Sequence, residues 1–165
     1  AMRISPTEMT AKNSKSSSDL QIRGTEGLVV SYAKCCYPIP GDPILGYISQ
    51  EKGIVVHRQK CRSINHMKKQ SDETIDLSWD ENVDDMFSAS IKVEVDNVRG
   101  VLAMISSQIA QNDSNIESVT YDDTKETGHN IMVFVITIND VKGLNKLIRK
   151  LKKNPNILNV ERKKS

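Results

Sequence analysis

Four side chains in the first half of the chain have the types and spacing of a metal shell. Cys35 and Cys36 are adjacent, and His57 and Cys61 stand four residues apart, one helical turn or one tight strand-to-helix bend. Three thiolates and one imidazole complete a tetrahedral zinc site of the closed, structural kind, with no position left for a substrate. The adjacent pair sets a condition. Neighbouring side chains diverge in a strand, so Cys35 and Cys36 can both ligate only if the backbone bends sharply beside them. The Pro38-Ile39-Pro40-Gly41-Asp42 turn that follows permits such a bend. The alternative is a pair of buried structural cysteines, with His57 ending a strand. His66 is a substitute ligand at most and is read as a surface residue, while His129 falls in a solvated hairpin loop. A nucleophilic Cys35–His57 pair would need an oxyanion-stabilising group, and the sequence offers no motif for one. An odd count of three cysteines is not a disulfide framework and suits a reducing compartment.

Charge is placed unevenly. Residues 28–69 carry seven Lys or Arg against two acids, and residues 70–85 carry seven acids and no Lys or Arg. In the first of these, Lys34, Lys52, Arg58, Lys60 and Arg62 form a candidate partner surface. Later, Lys142, Lys146, Arg149, Lys150 and Lys153 make a continuous stripe on one helix face. The stripe is either a plain solvated face or a phosphate-contacting surface for structured RNA. Aromatics are nearly absent from the expected strands, which argues against recognition of single strands by stacking. A third candidate is the loop Asp96-Asn97-Val98-Arg99-Gly100-Val101, where a strand passes into a helix whose free amides could take a carboxylate. A plain turn with Gly100 chosen for its geometry explains the same residues.

The elements that must hold these groups differ between the two halves. Residues 1–27 lack apolar periodicity and are read as a disordered linker. From Leu28 the pattern turns strand-like, and Ile44 to Ile48 and Ile54 to His57 have hairpin spacing with Gly53 at the turn. Cys61 to Lys69 suits a short helix and Thr74 to Trp79 a strand, and the acidic stretch 80–85 is the expected boundary, giving a first domain over 28–85. In the second domain, 86–165, Ile91, Val93 and Val95 alternate as a half-buried strand. Val101, Leu102, Ile105 and Ile109 follow with helical spacing. Ile116 to Tyr121 is a weaker strand, Asp122 to Asn130 a charged loop, and Ile131 to Ile138 an apolar strand expected to be covered on both faces. Val141, Leu144, Leu147, Ile148 and Leu151 mark a helix capped by Asn139 or Asp140, before a last strand from Ile157 to Arg162. The order β-α-β-β-α-β is ferredoxin-like, and the whole is α+β.

The totals bound the rest. With 165 residues, 38% hydrophobic and 27% charged, the chain suits two small domains and is not disordered. Its net charge of +2 gives no global field toward nucleic acid or membrane. No apolar run approaches the ~20 residues of a membrane span, and no leader pattern opens the chain, so a soluble cytoplasmic location is expected.

The string Ala33-Lys34-Cys35-Cys36-Tyr37-Pro38-Ile39-Pro40-Gly41-Asp42-Pro43, with Gly53-Ile54-Val55-Val56-His57 and Cys61, resembles the conserved-cysteine (zinc-finger) domain of the long RelA/SpoT proteins. Those proteins make or hydrolyse the alarmone (p)ppGpp. The Asp96-to-Leu102 loop and the element order resemble the ACT (RRM-like) domain that ends the same proteins. Arg23-Gly24-Thr25-Glu26-Gly27 and Asp42-Pro43 look closer to the bifunctional branch of the family than to the other. The resemblance implies structural zinc at Cys35, Cys36, His57 and Cys61. It also implies a non-catalytic regulatory end whose catalytic domains lie N-terminal to it, and a role in the stringent response. Implied partners are those catalytic domains, ribosomal RNA with the A-site tRNA region, a regulatory protein, an amino acid at the ACT loop, or a second copy of the chain. The loop departs from the usual Asp-Arg-x-Gly-Leu-Leu pattern, with Asn97 where Arg is common and Arg99 where Pro often sits.

Overall fold

The computed structural model describes residues 9–10, 21–22, 30–49, 51–67, 74–80, 83–96, 98–122 and 129–164. Most of the expected linker 1–27 lies outside these residues. Within it, Met9–Thr10 (β1) and Gln21–Ile22 (β2) pair antiparallel, a contact that hydrophobic periodicity does not signal. The chain divides into two compact units, Ala1–Asp85 and Met86–Lys164.

The first unit is built on a four-stranded sheet. Its strands are β3 (Val30–Tyr32), β4 (Ile44–Ser49), β5 (Gly53–Arg58) and β6 (Thr74–Leu77), in the order β3-β5-β4-β6. β4 and β5 form the expected hairpin, with Gly53 at φ 71°. β3 lies parallel to β5, a non-local pairing that the sequence pattern leaves unstated. Alternation along β5 divides its side chains between two clusters. Ile54 and Val56 pack with Ile44, Ile75 and Leu77. Val55 joins Ala33, Cys36, Leu45, Cys61 and Ile64. The short helix α1 (Arg62–Met67) buries Ile64 into that second cluster. The strand expected to run to Trp79 ends at Leu77. Trp79 leaves the ladder to stack on Tyr32, with ring centroids 6.0 Å apart, and its Nε1 donates to the Asp42 carbonyl at 3.0 Å.

The second unit holds β7 (Phe87–Val95), α2 (Val101–Ala110), β8 (Ile116–Asp122), β9 (Asn130–Ile138), α3 (Val141–Lys152) and β10 (Ile157–Arg162). The strand order is β10-β7-β9-β8 with every neighbour antiparallel, the ferredoxin-like arrangement. β7 begins four residues before Ile91, because Phe87 and Ala89 continue the same buried face. Ile91, Phe134, Ile105, Leu144, Leu147 and Leu151 anchor the core, each 0–1% exposed. Asp140 caps α3, its Oδ1 accepting from the Gly143 amide at 2.7 Å. One expectation needs correcting. β9 is not covered evenly on both faces: Met132, Phe134, Ile136 and Ile138 are buried on one, whereas on the other only Ile131 is buried and Val133, Val135 and Thr137 are half-buried. The sheet is antiparallel, so its apolar run need not imply helices on both sides.

Candidate metal centre

The condition set by the adjacent cysteines is met by a turn. Residues 33–37 fold so that the Tyr37 amide donates to the Ala33 carbonyl at 2.9 Å, and Tyr37 itself takes φ 44°. Consecutive side chains then splay by far less than the half-turn of a strand, and both sulfurs reach one point. The next turn holds this bend in place. Pro40 and Gly41 (φ 99°) occupy its middle, the Asp42 amide donates to the Ile39 carbonyl at 3.0 Å, and the Asp42 carboxylate accepts from the Ile39 amide at 2.9 Å. His57 comes from β5, and Cys61 sits one residue before α1, where its amide donates to the Arg58 carbonyl.

The ligand atoms of Cys35, Cys36, His57 and Cys61 lie within 4.8 Å of one another. Cys35 Sγ is 3.5 Å from His57 Nδ1 and 3.5 Å from Cys61 Sγ, and Cys36 Sγ is 3.8 Å from His57 Nδ1. A zinc tetrahedron spaces its sulfurs about 3.8 Å apart and sulfur from nitrogen about 3.6 Å. The donor set and these three edges therefore fit a four-coordinate ion, and the remaining pairs lie within 4.8 Å. Cys36, His57 and Cys61 are buried and Cys35 is exposed. The surrounding bonds suit thiolates. The Arg58 amide donates to Cys36 Sγ at 3.3 Å, and the Ser63 hydroxyl serves Cys35 and Cys61. Burial pushes the Cys36 thiol up to about 12 and also raises Cys35. Burial acts the same way on Cys61, but hydrogen bonds with His57, Cys35 and Ser63 outweigh it and hold that thiol at about 6. Ser63 was missed in the sequence; its signal is a hydroxyl two residues after Cys61, at the start of a helix.

The other candidate residues scatter. His66 is exposed and outside the cluster. Lys34, Lys52, Lys60 and Arg62 are exposed, but Arg58 is half-buried, its Nε enclosed with no hydrogen-bond partner among the described residues. Lys142, Lys146, Arg149 and Lys150 on α3 and Lys153 just beyond its end are all exposed, and Lys152 extends the stripe. Lys150 Nζ donates to Asn112 Oδ1 at 2.6 Å. At the ACT-like loop Asn97 lies outside the described residues. Asp96 is exposed, and its Oδ1 lies 3.4 Å from Nδ1 of His129, which is itself exposed as expected. Arg99 and Gly100 are exposed, while the Val101 side chain is buried in the core. Among the described residues no helix is long and apolar enough to cross a membrane.

Comparison with known proteins places the two units. Residues 20–80 match the RelA/SpoT RIS domain and residues 84–162 the ACT domain. The chain is 34% identical over 147 residues to the bifunctional (p)ppGpp synthase/hydrolase SpoT of Escherichia coli K12, covering 88% of this chain and 21% of that protein. It is 30% identical over 151 residues to the GTP pyrophosphokinase of the same strain, covering 90% of this chain and 20% of that protein. The chain thus spans about a fifth of the length of the curated relatives it matches. Among solved structures, the ACT domain from GTP pyrophosphokinase of Chlorobium tepidum matches 48% of this chain and 100% of its own, at 24% identity and a TM-score of 0.40. By its RIS and ACT domains, in the order carried by the C-terminal regions of these relatives, the chain belongs to the RelA/SpoT family.

Proposed function

We propose that this chain is a non-catalytic regulatory module of a (p)ppGpp synthetase/hydrolase, in which a structural zinc ion shapes the first unit for a partner. The observation that carries the reading is the closed set of three cysteines and one histidine at tetrahedral spacing within a RIS domain. The ion would supply a rigid cross-link between the 33–37 turn, β5 and the start of α1, and no reactive position. Cys35, Cys36, His57 and Cys61 would hold it, while the Arg58 amide and Ser63 orient the sulfurs. That cross-link would hold the segments that carry the exposed cations Lys34, Lys60 and Arg62, each of them next to a ligand cysteine in sequence. In the intact protein, occupation of this end would shift a balance between hydrolysis and synthesis, which requires a partner that binds the two states unequally.

The test is co-sedimentation with ribosomes across a salt series, comparing the chain with a Lys34→Glu/Lys60→Glu/Arg62→Glu variant. Arg58 is left intact because its Nε is enclosed. Binding to RNA through three phosphates gives a log–log salt slope of about −2 to −3 from these residues, which the variant loses. Equal, salt-insensitive behaviour of the two proteins would exclude an RNA partner for this surface. A second reading rests on α2, whose N-cap Gly100 provides no side-chain bond and where a Cβ would meet nothing within 4 Å. The Val101 amide donates to the Val98 carbonyl at 3.3 Å, so the amides that follow it would be the ones to take a carboxylate, as an amino acid would supply. Calorimetric silence with valine and isoleucine at millimolar concentration would remove it.

A further inference from the structure

We propose that Cys35 is a peroxide-reactive site, and that its oxidation ejects the metal by closing a disulfide with Cys61. This rests on the reading of the cluster as a metal centre. Three observations carry it. Cys35 is the one exposed donor of the four; Cys36, His57 and Cys61 are buried. A metal-bound sulfur is a thiolate, the form that attacks peroxides, and access then decides which sulfur reacts first. The Cys61 sulfur lies 3.5 Å from that of Cys35, poised as a resolving group.

The geometry also selects the partner. A Cys35–Cys36 bond would have to close across Cα atoms about 3.8 Å apart, below the roughly 4.4–6.8 Å of ordinary disulfides. The Cys36 sulfur is moreover held by the Arg58 amide at 3.3 Å and is buried. Cys35 and Cys61 lie on separate segments, the 33–37 turn and the entry to α1, and carry no such constraint.

The step balances with a hydroperoxide as the oxidant. A lone pair of Cys35 Sγ attacks the peroxide oxygen, the O–O bond breaks, and the leaving hydroxide or alkoxide takes a proton from water. Cys35 is then a sulfenic acid. The Cys61 thiolate attacks Cys35 Sγ, the S–S bond forms, the S–OH bond breaks, and hydroxide leaves. Two thiolates have lost two electrons and one peroxide has gained them. Cys36 and His57 remain, two donors where a structural site requires four, so the ion departs. The new bond keeps the turn tied to α1 but releases β5, which is where the first unit would loosen.

The experiment starts from the 165-residue chain loaded with zinc, with metal content measured before oxidant is added. A chain that takes up no stoichiometric zinc fails the metal reading at this stage, ahead of any oxidation. Hydrogen peroxide is then titrated in, zinc release is followed with a chromogenic chelator, and the cysteines are alkylated and mapped by mass spectrometry. Zinc release and a Cys35–Cys61 disulfide are expected to appear together, one per chain, with Cys36 still alkylated, and thiol reductant plus zinc restores the starting state. In Cys35→Ser the peroxide-dependent part of the release rate falls by about tenfold or more, since only buried sulfurs remain. A disulfide that includes Cys36, zinc release without any disulfide, or a peroxide dependence unchanged in Cys35→Ser would each overturn the proposal.

Discussion

Removing the metal should unfold the first unit and leave the second standing. Around the cluster, Leu45 and Ile64 are the full-size aliphatic side chains; the others are Ala33, Cys36 and Cys61, with Val55 only partly buried. Burying Leu45 and Ile64 is worth about 1.5–3 kcal/mol each. Coordination of a structural zinc ion contributes about 10–16 kcal/mol in small zinc domains at neutral pH. Whole domains are stable by only about 5–15 kcal/mol, so this layer cannot hold without the ion. The cluster of Ile44, Ile54, Val56, Ile75 and Leu77, against which Trp79 packs on the other face of the same sheet, is then left with one face of that sheet uncovered. The molecule supplies its own reporters. Trp79 is the single tryptophan of the chain and is stacked on Tyr32 in the first unit. Helices α2 and α3, of 10 and 12 residues, dominate the helical circular dichroism over the 6 of α1, and both belong to the second unit. After chelation, with metal removal verified by elemental analysis, the thermal transition of Trp79 fluorescence should disappear while the helical transition stays in place. A Trp79 transition unmoved by verified metal loss would refute the reasoning, and so would a helical transition that moves with it.

Three further outcomes follow from the packing and the caps. Phe134→Ala empties the centre of the second core, where Phe134 is 0% exposed, and should cost about 3–5 kcal/mol in the helical transition, with the Trp79 transition unchanged. Asp140→Ala removes the acceptor of the Gly143 amide and should lower the same transition by about 1 kcal/mol in chemical denaturation, an effect that Asp140→Ser largely restores. Burial, and then the nearby Asp85 charge, raise the Tyr32 hydroxyl above its ordinary 10.0. A raised acid contributes stability that is complete below the unfolded value and is lost as pH climbs above it. In the zinc-loaded chain the Trp79 transition should therefore weaken above pH 10 by a mechanism absent in Tyr32→Phe; identical alkaline profiles for the two proteins would contradict it.

The second unit was legible because its elements carry their own periods. Ile91, Val93 and Val95 repeat every second residue, and Leu144, Leu147 and Leu151 every third or fourth, so element type and order follow from which side chains must avoid water. The uneven burial of the two faces of β9 was not legible. An apolar run such as Ile131 to Ile138 states that burial is tolerated on both faces, and packing decides where it occurs. In the first unit the short β6, the exit of Trp79 from its ladder and the parallel pairing of β3 with β5 depend on contacts far apart in sequence.

For the candidate metal centre the division is similar. Three thiols and an imidazole determine, by chemistry alone, which ions this chain could hold and that no coordination position stays open. Whether adjacent cysteines could serve one ion was a question of backbone direction, and the 33–37 turn with Tyr37 at φ 44° answers it. The same holds for Arg58, which its strand carries into a half-buried position although its charge suggested a free surface. Residue types set what chemistry is available, and they are local. Which groups converge, and which sulfur faces solvent, depends on segments distant in sequence being held together, and only the folded chain does that.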